Sequence, residues 1–134
     1  MKIKPISQES FPEVVALASP HVSNTFNPPL NCYSGVGAFD EEGVLIGYIT
    51  LFPERPRVYS IPSLATRFGY ENKGIMKALF TVLFDMLPGT YWLEVHQDNT
   101  KARKLYENLG FTFTQGEGLY NDGTKCLLGE RSES

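Results

Sequence analysis

Between positions 72 and 87 apolar side chains stand at Ile75, Met76, Leu79, Phe80, Val82, Leu83, Phe84, Met86 and Leu87. The spacing predicts a helix, and so wide an apolar face calls for cover on more than one side. Pro88-Gly89 stops it. The segments around it read as strands. Positions 33–39 and 44–52 are joined through Asp40-Glu41-Glu42-Gly43, whose composition and length suit a hairpin. Positions 91–95 form a further strand. Positions 111–117 and 124–129 close the chain as a hairpin across Tyr120-Asn121-Asp122-Gly123. A short opening strand at 2–6 precedes a helix that Ser7 or Ser10 can start and that runs through Phe11, Val14, Val15 and Ala18. Ser10 and Glu13 have capping-box spacing. The order is β-α, a strand meander, then α-β-α-β-β. It predicts an α+β fold with a mixed sheet and helices on its faces. With 134 residues, no repeat and no linker, the chain reads as one domain over 1–134.

Three stretches stand out within this frame. Positions 57–66 carry β-branched and aromatic residues but are interrupted by Pro62, which points to an edge, an early strand position or a bulge; a bulge would splay the strand from its neighbour. Positions 64–75 form a strand end, a loop and a helix start. Gly74 there lets a ligand approach the backbone, and Lys73, Lys77 and Arg67 can add positive charge. Unpaired N–H groups and the helix dipole at such a junction suit phosphate, whereas the alternative is a small residue where packing is tight. Third, Asp98 or Asn99 can cap a helix over 99–109 that Gly110 ends, with Ala102, Leu105, Tyr106 and Leu109 on one face. Asn99 and Tyr106 then lie two turns apart, beside the end of the strand that carries Glu94.

Composition bounds the function. At 42% hydrophobic and 13% aromatic residues, the chain is neither disordered nor fibrous. A net charge of -3 argues against a general electrostatic grip on nucleic acid. Cys32 and Cys126 are far apart and lack metal-ligand spacing, so they read as buried thiols in a reducing compartment, and no metal is expected. The first residues lack the apolar run of a signal peptide, and no segment reaches the ~20 apolar residues that span a bilayer. No membrane partner is expected, and the expected location is cytoplasmic.

Leu64-Ala65-Thr66, Tyr70, Lys73-Gly74-Ile75 and Lys77-Ala78-Leu79 together resemble the acyl-CoA loop of the GNAT N-acetyltransferases. Leu93-Glu94-Val95, Asn99, Ala102, Leu105-Tyr106-Glu107 and Gly110-Phe111 resemble the strand and helix that follow it. The likeness is greatest to the ribosomal-protein alanine acetyltransferase branch. Tyr120, Asp122-Gly123 and Leu127-Leu128 are similar to that branch's last hairpin. The resemblance covers 33–129 and implies the GNAT acyl-CoA N-acyltransferase-like fold, with a central mixed sheet of about six to seven strands. It also implies transfer of acetyl from acetyl-CoA to a primary amine of a small molecule or a peptide or protein N-terminus, by direct attack in a ternary complex.

By the same resemblance the pyrophosphate would lie on backbone N–H groups of Asn72, Lys73, Gly74, Ile75, Met76 and Lys77. The pantetheine arm would pair with backbone at Leu64 and Thr66 and be oriented by Asn99, with Ala102 and Tyr106 also against the cofactor. N–H groups near Ala65 and Thr66 would polarise the thioester carbonyl. Tyr106 would protonate the leaving thiolate, the alternative being a core tyrosine that only packs. Glu94, sharing a strand face with Trp92 and His96, would take the proton of the attacking ammonium; His96, Glu54 or a water relay are the other candidates for base.

The chain departs from the family loop at Glu71, where Arg or Gln is usual, at Asn72 for glycine, and at Met76 for Gly or Ala. These departures motivate a second reading, a GNAT-fold acyl-CoA-binding or protein-interaction module with weak or lost catalysis. The acceptor would be chosen by the 19–31 loop, Glu54 and the Tyr120 hairpin. A homodimer through strand edges is compatible with such a fold.

Overall fold

A computed structural model describes residues 1–6, 34–119 and 125–132. The helix expected from Ser7 or Ser10 to Ala18, the 19–31 loop and the Tyr120-Asn121-Asp122-Gly123 turn lie outside these residues. In chain order the elements are β1 (Lys2–Pro5), β2 (Ser34–Phe39), β3 (Leu45–Arg55), β4 (Val58–Ile61), β5 (Leu64–Thr66), α1 (Ile75–Met86), β6 (Thr90–His96), α2 (Thr100–Asn108), β7 (Thr112–Leu119) and β8 (Lys125–Ser132). The strands form one mixed sheet in the order β1-β2-β3-β4-β6-β8-β7, with β5 also paired to β3. Every pairing is antiparallel except that of β4 with β6. The α+β mixed sheet is as expected. It counts eight strands because the run at 57–66 is split into β4 and β5.

The split has a defined geometry. Leu64 faces Ile49 and Ser60 faces Phe52 across β3, so the 60–64 stretch holds one residue more than the stretch opposite. That is a β-bulge, and it falls on Pro62-Ser63, where Pro62 has no N–H to give to a ladder. The parallel pairing of β4 with β6 runs from Val58 opposite Thr90 to Ile61 opposite Leu93 and ends there. Beyond it β5 stays with β3, while the rest of β6 stays with β8. At the far end β3 continues to Arg55, past the Phe52 limit that the sequence implied. Pro53 is accommodated beside a register shift, as proline is in irregular ladders.

α1 is shorter than the 72–87 helix expected, starting only at Ile75. Asn72 at φ 63° and Gly74 at φ 75° are both left-handed and break the turn before it. The helix buries one stripe, Ile75, Met76, Leu79, Phe80, Leu83 and Phe84, while Met86 is 50% exposed. Burial on several sides is therefore not what the apolar count meant. Scattered exposed apolar residues are normal on a folded surface. Gly47 of β3 lets the helix settle closely. A Cβ there would stand 3.0 Å from the Ile75 Cγ2.

Below the helix an aromatic cluster joins the elements on this face. The Phe80 ring lies 5.5 Å from Phe84, 6.0 Å from Tyr106 and 5.8 Å from Phe111, the last two edge-on. Tyr91 donates its hydroxyl to the Leu87 carbonyl at 2.5 Å, satisfying an acceptor that the end of α1 leaves open. Because Phe80 is fully buried and packs against Tyr106 of α2 and Phe111 just before β7, Phe80→Ala is expected to lower the unfolding free energy by about 3–5 kcal/mol in urea titrations. A loss below about 1 kcal/mol would mean that the cluster collapses around the gap and does not hold the helices in place.

Candidate active site

Where β5 and β6 part, the backbone of β5 turns outward in a fixed pattern. Thr50 N–H donates to the Ser63 carbonyl at 2.9 Å, and Arg67 N–H donates to the Ile46 carbonyl at 2.8 Å. In an antiparallel ladder the bonded residues alternate with unbonded ones. Ser63, Ala65 and Arg67 therefore bond towards β3, and Leu64 and Thr66 turn their N–H and C=O groups towards the gap. Leu64 and Thr66 are the two residues expected to offer backbone groups to a pantetheine arm. The Ala65 N–H, by contrast, lies in the ladder opposite Tyr48. Of the two donors considered for a thioester carbonyl, only Thr66 faces the opening.

The polar groups at the bulge are buried and paired among themselves. Thr50 Oγ1 accepts the Ser63 N–H at 3.1 Å and donates to the Ser63 carbonyl at 2.9 Å. The hydroxyls of Tyr48 and Ser63 are 2.5 Å apart. Burial pushes the Tyr48 phenol up to about 12, partly offset by that bond, so it stays a neutral partner. Nothing local in the sequence marks this trio.

The loop from β5 leads to the start of α1. Ala78 N–H makes the helix's first bond, to Gly74 C=O, which leaves the N–H groups of Ile75, Met76 and Lys77 outside the helical ladder; no side chain caps this end. Met76 is buried in the core, so its side chain does not occupy the space before those donors. Glu71 bends back to accept the Gly69 N–H through both carboxylate oxygens at 3.1 Å. Lys73 is exposed, with its ammonium 5.4 Å from the Tyr70 ring centre, and Lys77 is exposed one turn on. Arg67 is tied down by a 2.7 Å bond from Nε to the Leu45 carbonyl.

Asn99, not Asp98, caps α2, accepting the Ala102 N–H at 3.2 Å through Oδ1. Its amide NH2 remains for another acceptor. Ala102 packs partly buried against the core. Tyr106 is 6% exposed, with ring centres of Phe111 and Phe113 at 5.9 and 6.2 Å. Burial alone drives its phenol well above the ordinary tyrosine value, so it stays protonated and neutral.

Along β6, Tyr91, Leu93 and Val95 are buried in the same core as Tyr106, so Trp92, Glu94 and His96 point to the other face. Glu94 and Tyr106 thus stand on opposite sides of the sheet. On the Glu94 side a cavity of about 400 Å³ is lined by Glu54, Arg55, Ser60, Trp92, Glu94 and Leu128 among others. Ser60 donates its hydroxyl to Glu54. His96 is engaged differently. Its Nδ1 accepts the Asp98 N–H at 3.2 Å, which occupies the lone pair that a base would use. The described residues bring together no group of three or more His, Cys, Asp and Glu for a metal ion, and none of their helices is long and apolar enough to cross a membrane.

A mixed sheet whose one parallel pair parts in front of a glycine-led helix start defines the GNAT acyltransferase class of fold. The model of the Acetyltransferase (GNAT) family matches residues 2–111, and this chain belongs to that family. The branch that the sequence motifs resemble is among its relatives. Over 53 residues, 37% of each chain, it is 42% identical to the [Ribosomal protein bS18]-alanine N-acetyltransferase of Haemophilus ducreyi. The match therefore spans little more than a third of that relative. Among solved structures, the ribosomal-protein-alanine N-acetyltransferase of Brucella melitensis is similar in fold with a TM-score of 0.77 at 14% identity, over 99% of this chain and 100% of that one. The GNAT superfamily phosphinothricin acetyltransferase of Sinorhizobium meliloti, solved in complex with AcCoA, has a TM-score of 0.75 at 17% identity, covering 98% and 87%.

The capping role of the Asn99 side chain can be tested by substitution. Asn99→Ala removes the cap and is expected to cost about 1 kcal/mol, whereas Asn99→Asp keeps an acceptor for Ala102 N–H and should unfold within a few tenths of a kcal/mol of the wild type. Equal losses for both variants, measured by thermal melts, would show that the cap bond does not stabilise α2.

Proposed function

We propose that the chain is a single-domain N-acetyltransferase that moves acetyl from acetyl-CoA to a primary amine of a small molecule or of a peptide or protein N-terminus, by direct attack in a ternary complex. The observation that carries this reading is the parting of β5 from β6, with Leu64 and Thr66 offering backbone groups to the gap. An extended pantetheine arm would take the place of the missing strand there, as a peptide adds to a sheet edge. The uncapped N–H groups of Ile75, Met76 and Lys77, with those of Asn72, Lys73 and Gly74 before them, would receive the pyrophosphate, helped by the ammonium groups of Lys73 and Lys77. Asn99 would donate its NH2 to the arm, beside Ala102. Acetyl-CoA supplies an activated thioester carbonyl and a thiolate leaving group.

The chain's own groups then divide the proton work. Glu94, reached from the cavity, would take a proton from the incoming ammonium and leave a neutral nucleophile. The Thr66 N–H, turned into the gap, would bind the carbonyl oxygen as it gains charge. Tyr106, protonated and on the opposite face, would hand its proton to the departing sulfur. The cavity supports an amine acceptor as well. It joins Glu54, Glu94 and Trp92 with Arg55, so two carboxylates stand against one guanidinium beside an aromatic residue, a balance that favours a cation. Further parts of the proposal are action in the cytoplasm without a metal, without nucleic acid or membrane as partner, and a homodimeric assembly.

Release of free thiol from acetyl-CoA, screened over amines and peptide N-termini, tests the reading. Tyr106→Phe is expected to retain acetyl-CoA binding, with a stabilisation of about 2.7 kcal/mol at a hundredfold excess over Kd, and to lower kcat by roughly 10²–10⁴-fold. An unchanged kcat would remove Tyr106 from the chemistry. Stabilisation by acetyl-CoA with no thiol release for any acceptor would instead favour the binding module.

A further inference from the structure

We infer that Thr50 is a positioning residue for acetyl-CoA: its hydroxyl pins Ser63 in register and thereby decides which backbone groups of β5 face the cofactor. The inference rests on the acetyl-CoA reading above and adds a residue outside the gap to it. At the bulge the ladder cannot run on regularly, because Pro62 lacks an N–H and one residue is in excess. Ser63 is 4% exposed and its N–H meets no β3 carbonyl; the Thr50 hydroxyl takes that acceptor role at 3.1 Å. The same hydroxyl gives its proton to the Ser63 carbonyl at 2.9 Å, which also receives the Thr50 N–H at 2.9 Å. Three bonds thus clamp one residue of the broken strand to one residue of β3. Tyr48, two positions along on the same face of β3, holds the Ser63 side chain.

The clamp matters because hydrogen-bonding direction in a strand alternates residue by residue. With Ser63 fixed opposite Thr50, Leu64 and Thr66 open to the gap and Ala65 is spent on Tyr48. A slip of one position would reverse this, turning Ala65 outward and the two ligand-facing residues inward. Thr50 itself is fully buried, so it touches no cofactor and acts only through Ser63.

Thr50→Val keeps the shape and removes the hydroxyl, and Thr50→Ser keeps the hydroxyl. Acetyl-CoA affinity is read by calorimetry and KM by thiol release, at a temperature where circular dichroism shows each variant folded. For Thr50→Val a rise of about tenfold or more in both Kd and KM for acetyl-CoA is expected, with KM for the amine unchanged and Thr50→Ser within about threefold of the wild type. If Thr50→Val melts earlier yet binds acetyl-CoA within about threefold of the wild type, Thr50 only stabilises the core and the inference fails. Should Thr50→Val not fold, Thr50→Cys, with a weakly bonding thiol, replaces it. A loss of at least about threefold in affinity is then expected, and wild-type affinity overturns the inference. A wild type that binds no acetyl-CoA overturns the acetyltransferase reading together with this one, whereas binding that Thr50 variants leave untouched overturns this one alone.

Discussion

β4 and β6 share backbone bonds only as far as Ile61 and Leu93, and the arrangement of the molecule around its site follows from that early end. Two strands that part inside a sheet expose rows of unpaired N–H and C=O groups, which a folded chain otherwise covers or pairs. Here one rim of the opening is ordered from below by β3 and the other by β8. The opening is therefore held by structure on both sides and is not a frayed end. Elements from two faces of the sheet converge on it. α1 and α2 bring the helix start and Tyr106 on the core side, and the alternation of β6 sends Glu94 to the other.

The core explains why the two faces keep their relation. Phe80 packs edge-on against Tyr106 and Phe111, and Phe84 against Tyr91, so α1, α2 and β6 are tied through rings that have few alternative packings. Arg131 of β8 adds a cationic lid, its guanidinium 3.7 Å over the Phe84 ring and its Nε bonded to the Leu109 carbonyl just after α2. Tyr106 is in consequence a buried core residue at the edge of the opening's core side. Its two readings from the sequence, packing and proton donation, do not exclude each other.

Much of this was legible before any coordinates. Pro62 within a β-rich run limits that stretch to an edge, an early strand position or the bulge found, Asp40 to Gly43 mark the hairpin, and Asn99 is one of two caps that the spacing allows. These signals are local: a missing N–H, a left-handed turn, a side-chain oxygen one turn from a donor. What the sequence hid depends on partners distant in the chain. The clamp joins Thr50 to Ser63 and Tyr48 to Ser63 across a bulge whose register cannot be counted from residue types. The Ser60 bond to Glu54 is of the same kind. Which of Ala65 and Thr66 turns its N–H to the gap is hidden for the same reason, since a ladder's parity follows from register. The over-wide burial assigned to α1 had another cause. Apolar identity at Met86 does not mean burial, since folded surfaces carry many apolar atoms.

The central claim is that acetyl-CoA enters as the strand missing between β5 and β6 and rests its phosphates on the start of α1. An amide-resolved NMR titration of the chain with acetyl-CoA tests it most directly. The largest shifts should fall on Leu64, Thr66 and the amides of Ile75, Met76 and Lys77, with the Asn99 side-chain NH2 moving in step and Ala65 changing little. Shifts confined to β1, β2 or β7, or none at millimolar acetyl-CoA, would contradict the account.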